Sequence, residues 1–256
     1  MLIDSHAHLG SMEGDSAEYL DRAKQAGVSA IVNICTDAAT LQKGLALAKS
    51  CNDVYNTAAT TPHDVEKEGE SLFPLMAHHA RQGDLVAVGE TGLDYHYEHS
   101  NRLLQQYFLR RYLALAIDCS LPVVIHCRDA FDDLFRIIDE DYTVNGVHRP
   151  GVLHCFTGTM AEAQQVVQRG WFLSFSGIVT FKKSEELRKV AAWVPIENML
   201  IETDSPYLAP QPFRGKPNEP AYLIETANTM ATIKEMTVEE LGAATANNAK
   251  KLFKIH

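Results

Sequence analysis

Eight short runs of apolar and β-branched residues recur along this 256-residue chain, each followed by a longer stretch with helical periodicity. The predicted strands are 2–8, 30–34, 54–60, 85–90, 122–127, 152–156, 171–176 and 199–204. Helical spacing is read over 17–26, 38–49, 101–119, 130–139, 161–169 and 184–192. A further helix is expected within 64–82, although Gly69 and Pro74 speak against it. Two more fall between 220 and 253, where Thr237 and Glu240 have capping-box spacing. Strand–helix alternation specifies a parallel sheet, and eight units predict a closed (β/α)8 TIM barrel, one α/β domain spanning 1–256. A doubly wound open sheet has the same local signature, but no glycine-rich phosphate fingerprint follows the first strand. The proline-rich stretch 206–220 is expected to loop over the mouth of the site.

Composition narrows the function classes. With 46% hydrophobic and 22% charged residues the chain can bury a large core, which argues against disorder. A formal charge of −10 opposes general binding of polyanions, so a nucleic-acid substrate would need a local basic rim and bound cations. Five cysteines without paired spacing read as reduced thiols. The N-terminus has no signal-peptide pattern, and no apolar run reaches the roughly 20 residues of a membrane span. A soluble, cytoplasmic protein with no obligate protein partner is expected.

The chemistry concentrates at strand ends. His6 and His8 lie two apart on the first strand and so project from one face. Glu90 ends the predicted fourth strand, His126 and His154 lie near the ends of the fifth and sixth, and Asp204 ends the eighth. In a barrel these positions converge in one bowl. Imidazoles with carboxylates suit zinc, iron or manganese, and leave magnesium possible. Uncompensated, so many polar groups in a desolvated bowl would be costly. Two divalent cations (Zn, Mn or Mg) would offset that cost, with Glu90 as the bridging carboxylate; a purely hydrogen-bonded polar core is the alternative. Cys127 and Cys155, next to ligand histidines, are expected to point outward as packing residues.

The runs Asp4-Ser5-His6-Ala7-His8, Val88-Gly89-Glu90-Thr91-Gly92-Leu93-Asp94-Tyr95 and Leu121-Pro122-Val123-Val124-Ile125-His126-Cys127-Arg128 resemble the TatD-type metal-dependent deoxyribonucleases of the amidohydrolase superfamily. So do Leu153-His154-Cys155-Phe156-Thr157-Gly158-Thr159, Leu200-Ile201-Glu202-Thr203-Asp204-Ser205-Pro206 and Arg214-Gly215-Lys216-Pro217-Asn218-Glu219-Pro220. The resemblance covers essentially the whole chain. It implies that His6, His8 and Asp204 hold one metal and His126 and His154 the other, with Glu90 between them. The carbamylated lysine of many superfamily members has no counterpart at the fourth strand end. Where the family usually has His-Pro-His, this chain reads Thr61-Pro62-His63, so only His63 carries over as a substrate contact.

The expected activity is hydrolysis of DNA phosphodiester bonds by a metal-activated water, from strand ends or on short oligonucleotides, with Asp204 accepting the water's proton. Arg128, Arg214, Lys182, Lys183 and Lys216 are candidate phosphate contacts, and Tyr95 and Tyr97 candidate base-stacking residues. Glu202 is expected to orient a ligand. Two alternatives keep the fold: hydrolysis of another ester or amide, such as an aminoacyl ester or lactone, and a non-catalytic metal-stabilised scaffold.

Overall fold

The structure is a computed structural model describing residues 1–97 and 99–256. In chain order its strands are β1 (Leu2–Ala7), β2 (Val28–Cys35), β3 (Val54–Ala58), β4 (Ala87–Asp94), β5 (Val123–Arg128), β6 (Thr143–Val144), β7 (Val147–His148), β8 (Gly151–Leu153), β9 (Phe172–Phe175) and β10 (Met199–Ile201). The α-helices are α1 (Ser16–Gln25), α2 (Ala38–Ser50), α3 (Val65–Gln82), α4 (Arg102–Cys119), α5 (Phe131–Asp141), α6 (Met160–Gln168), α7 (Glu185–Trp193), α8 (Leu223–Lys234) and α9 (Val238–Phe253). The main sheet runs β1-β2-β3-β4-β5-β8-β9-β10, all parallel.

The chain beyond β10 closes this sheet onto β1. Ala7 and Ser205 form a parallel bridge, His8 N donates to Ser205 O at 2.8 Å, and Asp204 N donates to His6 O at 2.9 Å. The buried Asp4 carboxylate fixes the seam by accepting from Thr203 N at 2.9 Å and Thr203 Oγ1 at 2.6 Å. The TIM barrel expected from eight strand–helix units is the fold observed.

Alternation sorts the strand residues into two layers. Ile3, Ala30, Val32, Ile34, Ala87, Val124, Val152, Phe172 and Leu200 form one cluster, joined by Leu252 and Phe253 of α9. Residues of opposite parity, such as Leu2, Ile31, Val123, Ile125, Leu173 and Met199, pack against the helices. Alternation breaks at three places, one of them on β2 between Val28 and Ala30 and the other two on the strands that carry the site. From Asp4 to Ala7, β1 advances three residues while its partners Ile31 and Asn33 advance two. From Val88 to Thr91, β4 advances three while Val123 and Ile125 advance two. One extra residue in each strand shifts every later side chain to the other face. The bulges thus turn His6, His8 and Glu90 to the side on which Ile3 and Ala87 lie.

Two local features differ from the sequence reading, the end of β4 and an added hairpin, while the helix expected within 64–82 is present as α3. Strand β4 continues four residues beyond Glu90, to Asp94, so Glu90 is inside the strand and not at its end. Helix α3 runs through both Gly69 and Pro74. A Cβ on Gly69 would lie 2.5 Å from the Phe108 ring, so the glycine lets α3 and α4 approach closely. The hairpin β6–β7 was not expected, although Asn145-Gly146 is a turn signal: both residues have positive φ, 54° and 74°. The capping box at α9 is present, with Thr237 Oγ1 accepting from Glu240 N at 3.1 Å and Glu240 Oε2 from Thr237 N at 2.9 Å. Among the described residues, no helix is long and apolar enough to cross a membrane.

Gly92 marks the tightest approach behind the site. Its φ is +144°, and a Cβ there would lie 1.9 Å from His126 O across the β4–β5 pairing. Gly92→Ala is therefore expected to destabilise the protein by on the order of 3 kcal/mol or more. For a chain of this size that lowers Tm by about 6–12 °C in a thermal melt. An unchanged melt would show that the two strands can part without cost.

Candidate metal centre

The donor atoms form two groups around one carboxylate. His6 Nε2 lies 3.2 Å from His8 Nε2, 3.4 Å from Glu90 Oε2 and 3.6 Å from Asp204 Oδ1. His8 Nε2 lies 3.6 Å from Glu90 Oε2 and 3.5 Å from Asp204 Oδ1. In a tetrahedral site with metal–donor bonds of about 2.0–2.2 Å, donors stand roughly 3.3–3.6 Å apart. The contacts of His6 and His8 with each other and with the two carboxylates are close to that spacing, and His6, His8 and Glu90 group together as possible ligands of one ion. The second carboxylate oxygen faces the other pair: Glu90 Oε1 is 3.1 Å from His154 Nε2 and 3.4 Å from His126 Nδ1. These residues could hold two cations, with Glu90 reaching both.

Carboxylates stand beside two of the imidazoles. Asp94 Oδ2 is 2.9 Å from His126 Nε2, which leaves Nδ1 aimed at Glu90. Glu202 Oε1 accepts from Cys155 N at 2.6 Å and lies 3.5 Å from His154 Nδ1, near that imidazole but not hydrogen-bonded to it. A ligand histidine held through its second nitrogen, as His126 is by Asp94, keeps its tautomer and direction.

The electrostatics of the cluster centre on Glu90. Burial works to raise the Glu90 pKa, yet His154, His126 and His6 hold it well below the usual carboxylate range. Burial works to lower His154, but Glu90 and Glu202 raise it well above the usual imidazole value. His6 stacks on His154 with ring centroids 3.8 Å apart, and burial together with that neighbour depresses it to about 3. Glu90 thus draws positive charge toward itself, from a proton on His154 or from a cation. His6 Nδ1, His154 Nδ1 and Glu202 Oε2 have no hydrogen-bond partner among the described residues. A polar core satisfied by its own hydrogen bonds would leave none of these open.

His8, Glu90, His126, His154 and Asp204 line a cavity of about 740 Å3, with His6 buried behind them. His63, Tyr97, Arg128 and Tyr207 also line it. Arg128 lies over the Tyr97 ring at 4.7 Å. Of the nearby carboxylates, Asp94 is engaged with His126 and Asp129 with His96. Tyr95 lies outside this cavity, its hydroxyl bound to Asp133 Oδ2 at 2.8 Å and its ring covered by Arg102. Arg214 is also outside it, stacked on Phe181 at 4.0 Å. Lys182, Lys183 and Lys216 are exposed and do not line it. Cys127 and Cys155 do line it, contrary to the outward placement expected. Strand β8 ends at Leu153 and Cys155 has φ +45°, so alternation does not carry to that residue. All five cysteines are free.

Sequence reasoning left Asp94 without its role as anchor of His126 and did not consider Tyr207. Asp94 shares the parity of Glu90 beyond the bulge, and Tyr207 lies three residues past Asp204.

A family profile described as TatD related DNase matches residues 3–254. The chain belongs to this family. It is 37% identical over 258 residues to a metal-dependent hydrolase of Bacillus subtilis described as uncharacterized (YabD), covering 100% of both chains. It is 33% identical over 247 residues to the 3′-5′ ssDNA/RNA exonuclease TatD of Erwinia tasmaniensis, covering 94% of each. Among solved structures, the TatD homologue YjjV of Escherichia coli superposes with a TM-score of 0.88 at 29% identity, covering 100% of this chain and 98% of that one. The protein is a metal-dependent hydrolase of the TatD family.

Within this family member the Asp94–His126 contact has a measurable consequence. Asp94→Ala is expected to weaken metal binding about 10–100-fold, the usual effect of freeing a ligand histidine. Titration of metal-stripped protein by calorimetry reads this directly, and unchanged affinity would remove Asp94 from the site.

Proposed function

We propose that the protein hydrolyses phosphodiester bonds at the ends of single-stranded nucleic acid, DNA foremost, with two divalent cations bound. The observation that carries this reading is the approach of Glu90 Oε2 and Asp204 Oδ1 to His6 and His8 at 3.4–3.6 Å, with His126 and His154 facing the other oxygen of Glu90. His6, His8, Asp204 and Glu90 Oε2 would hold one ion, and His126 Nδ1, His154 Nε2 and Glu90 Oε1 the other. When bound, such ions supply a Lewis acid for a phosphoryl oxygen and a water activated near neutral pH.

The remaining steps belong to the protein. Asp204 Oδ1 faces His6 and His8, leaving Oδ2 to accept the proton of the attacking water. Arg128 lines the cavity with a fork suited to two phosphate oxygens. His63 has its pKa lowered by burial and by His126, so it meets the substrate neutral, as a hydrogen-bond donor. A cavity of about 740 Å3 is the size of a small-ligand site, roughly 300–1,000 Å3, and suits a strand end better than a duplex. The exonuclease name of the Erwinia relative points the same way.

The test is turnover of end-labelled single-stranded and duplex oligonucleotides by stripped protein resupplied with Mg, Mn or Zn in turn. Cleavage is expected to require an ion and to favour single strands. No cleavage with any ion would transfer the site to another ester or amide.

A further inference from the structure

Nine large hydrophobic or aromatic side chains are notably exposed among the described residues, and of these only Tyr97 and Tyr207 also line the cavity. They are 52% and 54% exposed. They stand on different walls of the mouth. Tyr97 follows β4 and meets His63 edge-on, with ring centroids 5.9 Å apart. Tyr207 follows β10 and meets His8 edge-on at 5.7 Å.

Both residues are anchored at the backbone. Tyr97 N donates to Asp94 Oδ1 at 3.0 Å, while its ring carries the Arg128 guanidinium and lies parallel to His99 at 5.6 Å. Tyr207 N donates to Asp204 O at 2.9 Å, and its own carbonyl accepts from Asn218 Nδ2 at 2.7 Å. Aromatic rings that stay about half exposed, one of them beside a guanidinium able to take a phosphate, are the elements of sequence-tolerant single-strand recognition. Stacking also discriminates strandedness, because a paired base has both faces covered by its neighbours.

We propose that Tyr97 and Tyr207 are a pair of base-stacking platforms on either side of the cavity mouth, selecting unpaired nucleobases next to the bond that is cut. This rests on the phosphodiester reading above and adds the part of the substrate that is recognised. It leaves sequence unread, since every base presents a stacking face.

The test uses metal-loaded protein and two single-stranded oligonucleotides, one intact and one with abasic residues at its terminal positions. Binding is read by anisotropy on non-hydrolysable phosphorothioate versions, and cleavage on the ordinary ones. Tyr97→Ala and Tyr207→Ala are each expected to weaken binding and lower kcat/KM about tenfold on the intact strand, the usual scale of one lost stacking contact. The same variants should lose less than twofold on the abasic strand, and Tyr→Phe at either position should stay within twofold of wild type. Equal losses on both strands, or no loss on the intact one, would overturn the proposal. If the wild type shows this binding pattern but cleaves neither strand, the platforms stand and the hydrolytic reading fails.

Discussion

Replacement of Glu90 by glutamine is expected to lower kcat/KM by on the order of a thousandfold, a loss of roughly 4 kcal/mol of transition-state stabilisation. The side chain keeps its size, so the effect isolates charge and ligation. Glu90 offers one oxygen to the His6–His8 side and the other to the His126–His154 side. An amide can offer a single neutral oxygen and must turn an NH2 group toward one of the two histidine pairs. At least one ion should therefore be lost, which metal analysis of the purified variant reads independently of turnover. A Glu90→Gln protein retaining two ions and near-normal activity would mean that the carboxylate bridges nothing.

Asp204→Asn is expected to act differently. Asparagine can keep an oxygen near His6 and His8 but cannot accept a proton, so kcat should fall about 10²–10⁴-fold. Asp204 has φ +59°, a conformation that asparagine adopts about as readily as aspartate, so the fold should persist. Oligonucleotide binding by anisotropy and the melting temperature should both stay close to wild type. A kcat within tenfold of wild type would place the proton acceptor elsewhere.

These variants also mark what could be read without coordinates. Strand order and the convergence of His6, His8, Glu90, His126, His154 and Asp204 followed from strand–helix periodicity, because parallel barrel strands all end at the same face. The bulges on β1 and β4 were hidden, since an extra residue changes parity without changing residue types. The apolar run of the fourth strand stops at Val88, yet the Thr91–Asp94 segment stays paired with β5. Arg128 and His63 line the cavity, whereas Tyr95 and Arg214 do not: loop side chains take directions that sequence spacing does not determine. Pro74 within α3 shows tertiary packing overriding a breaker, because the helix is held along its length by Leu72, Met76, Ala77 and Ala80 in the core.

The most direct measurement is the metal content of exhaustively stripped protein retitrated with Zn or Mn, followed by elemental analysis and by turnover of a single-stranded oligonucleotide. Two ions per chain are predicted for the wild type, fewer for Glu90→Gln, with cleavage appearing only as ions bind. Full cleavage by the stripped protein, or undiminished loading of Glu90→Gln, would contradict the account.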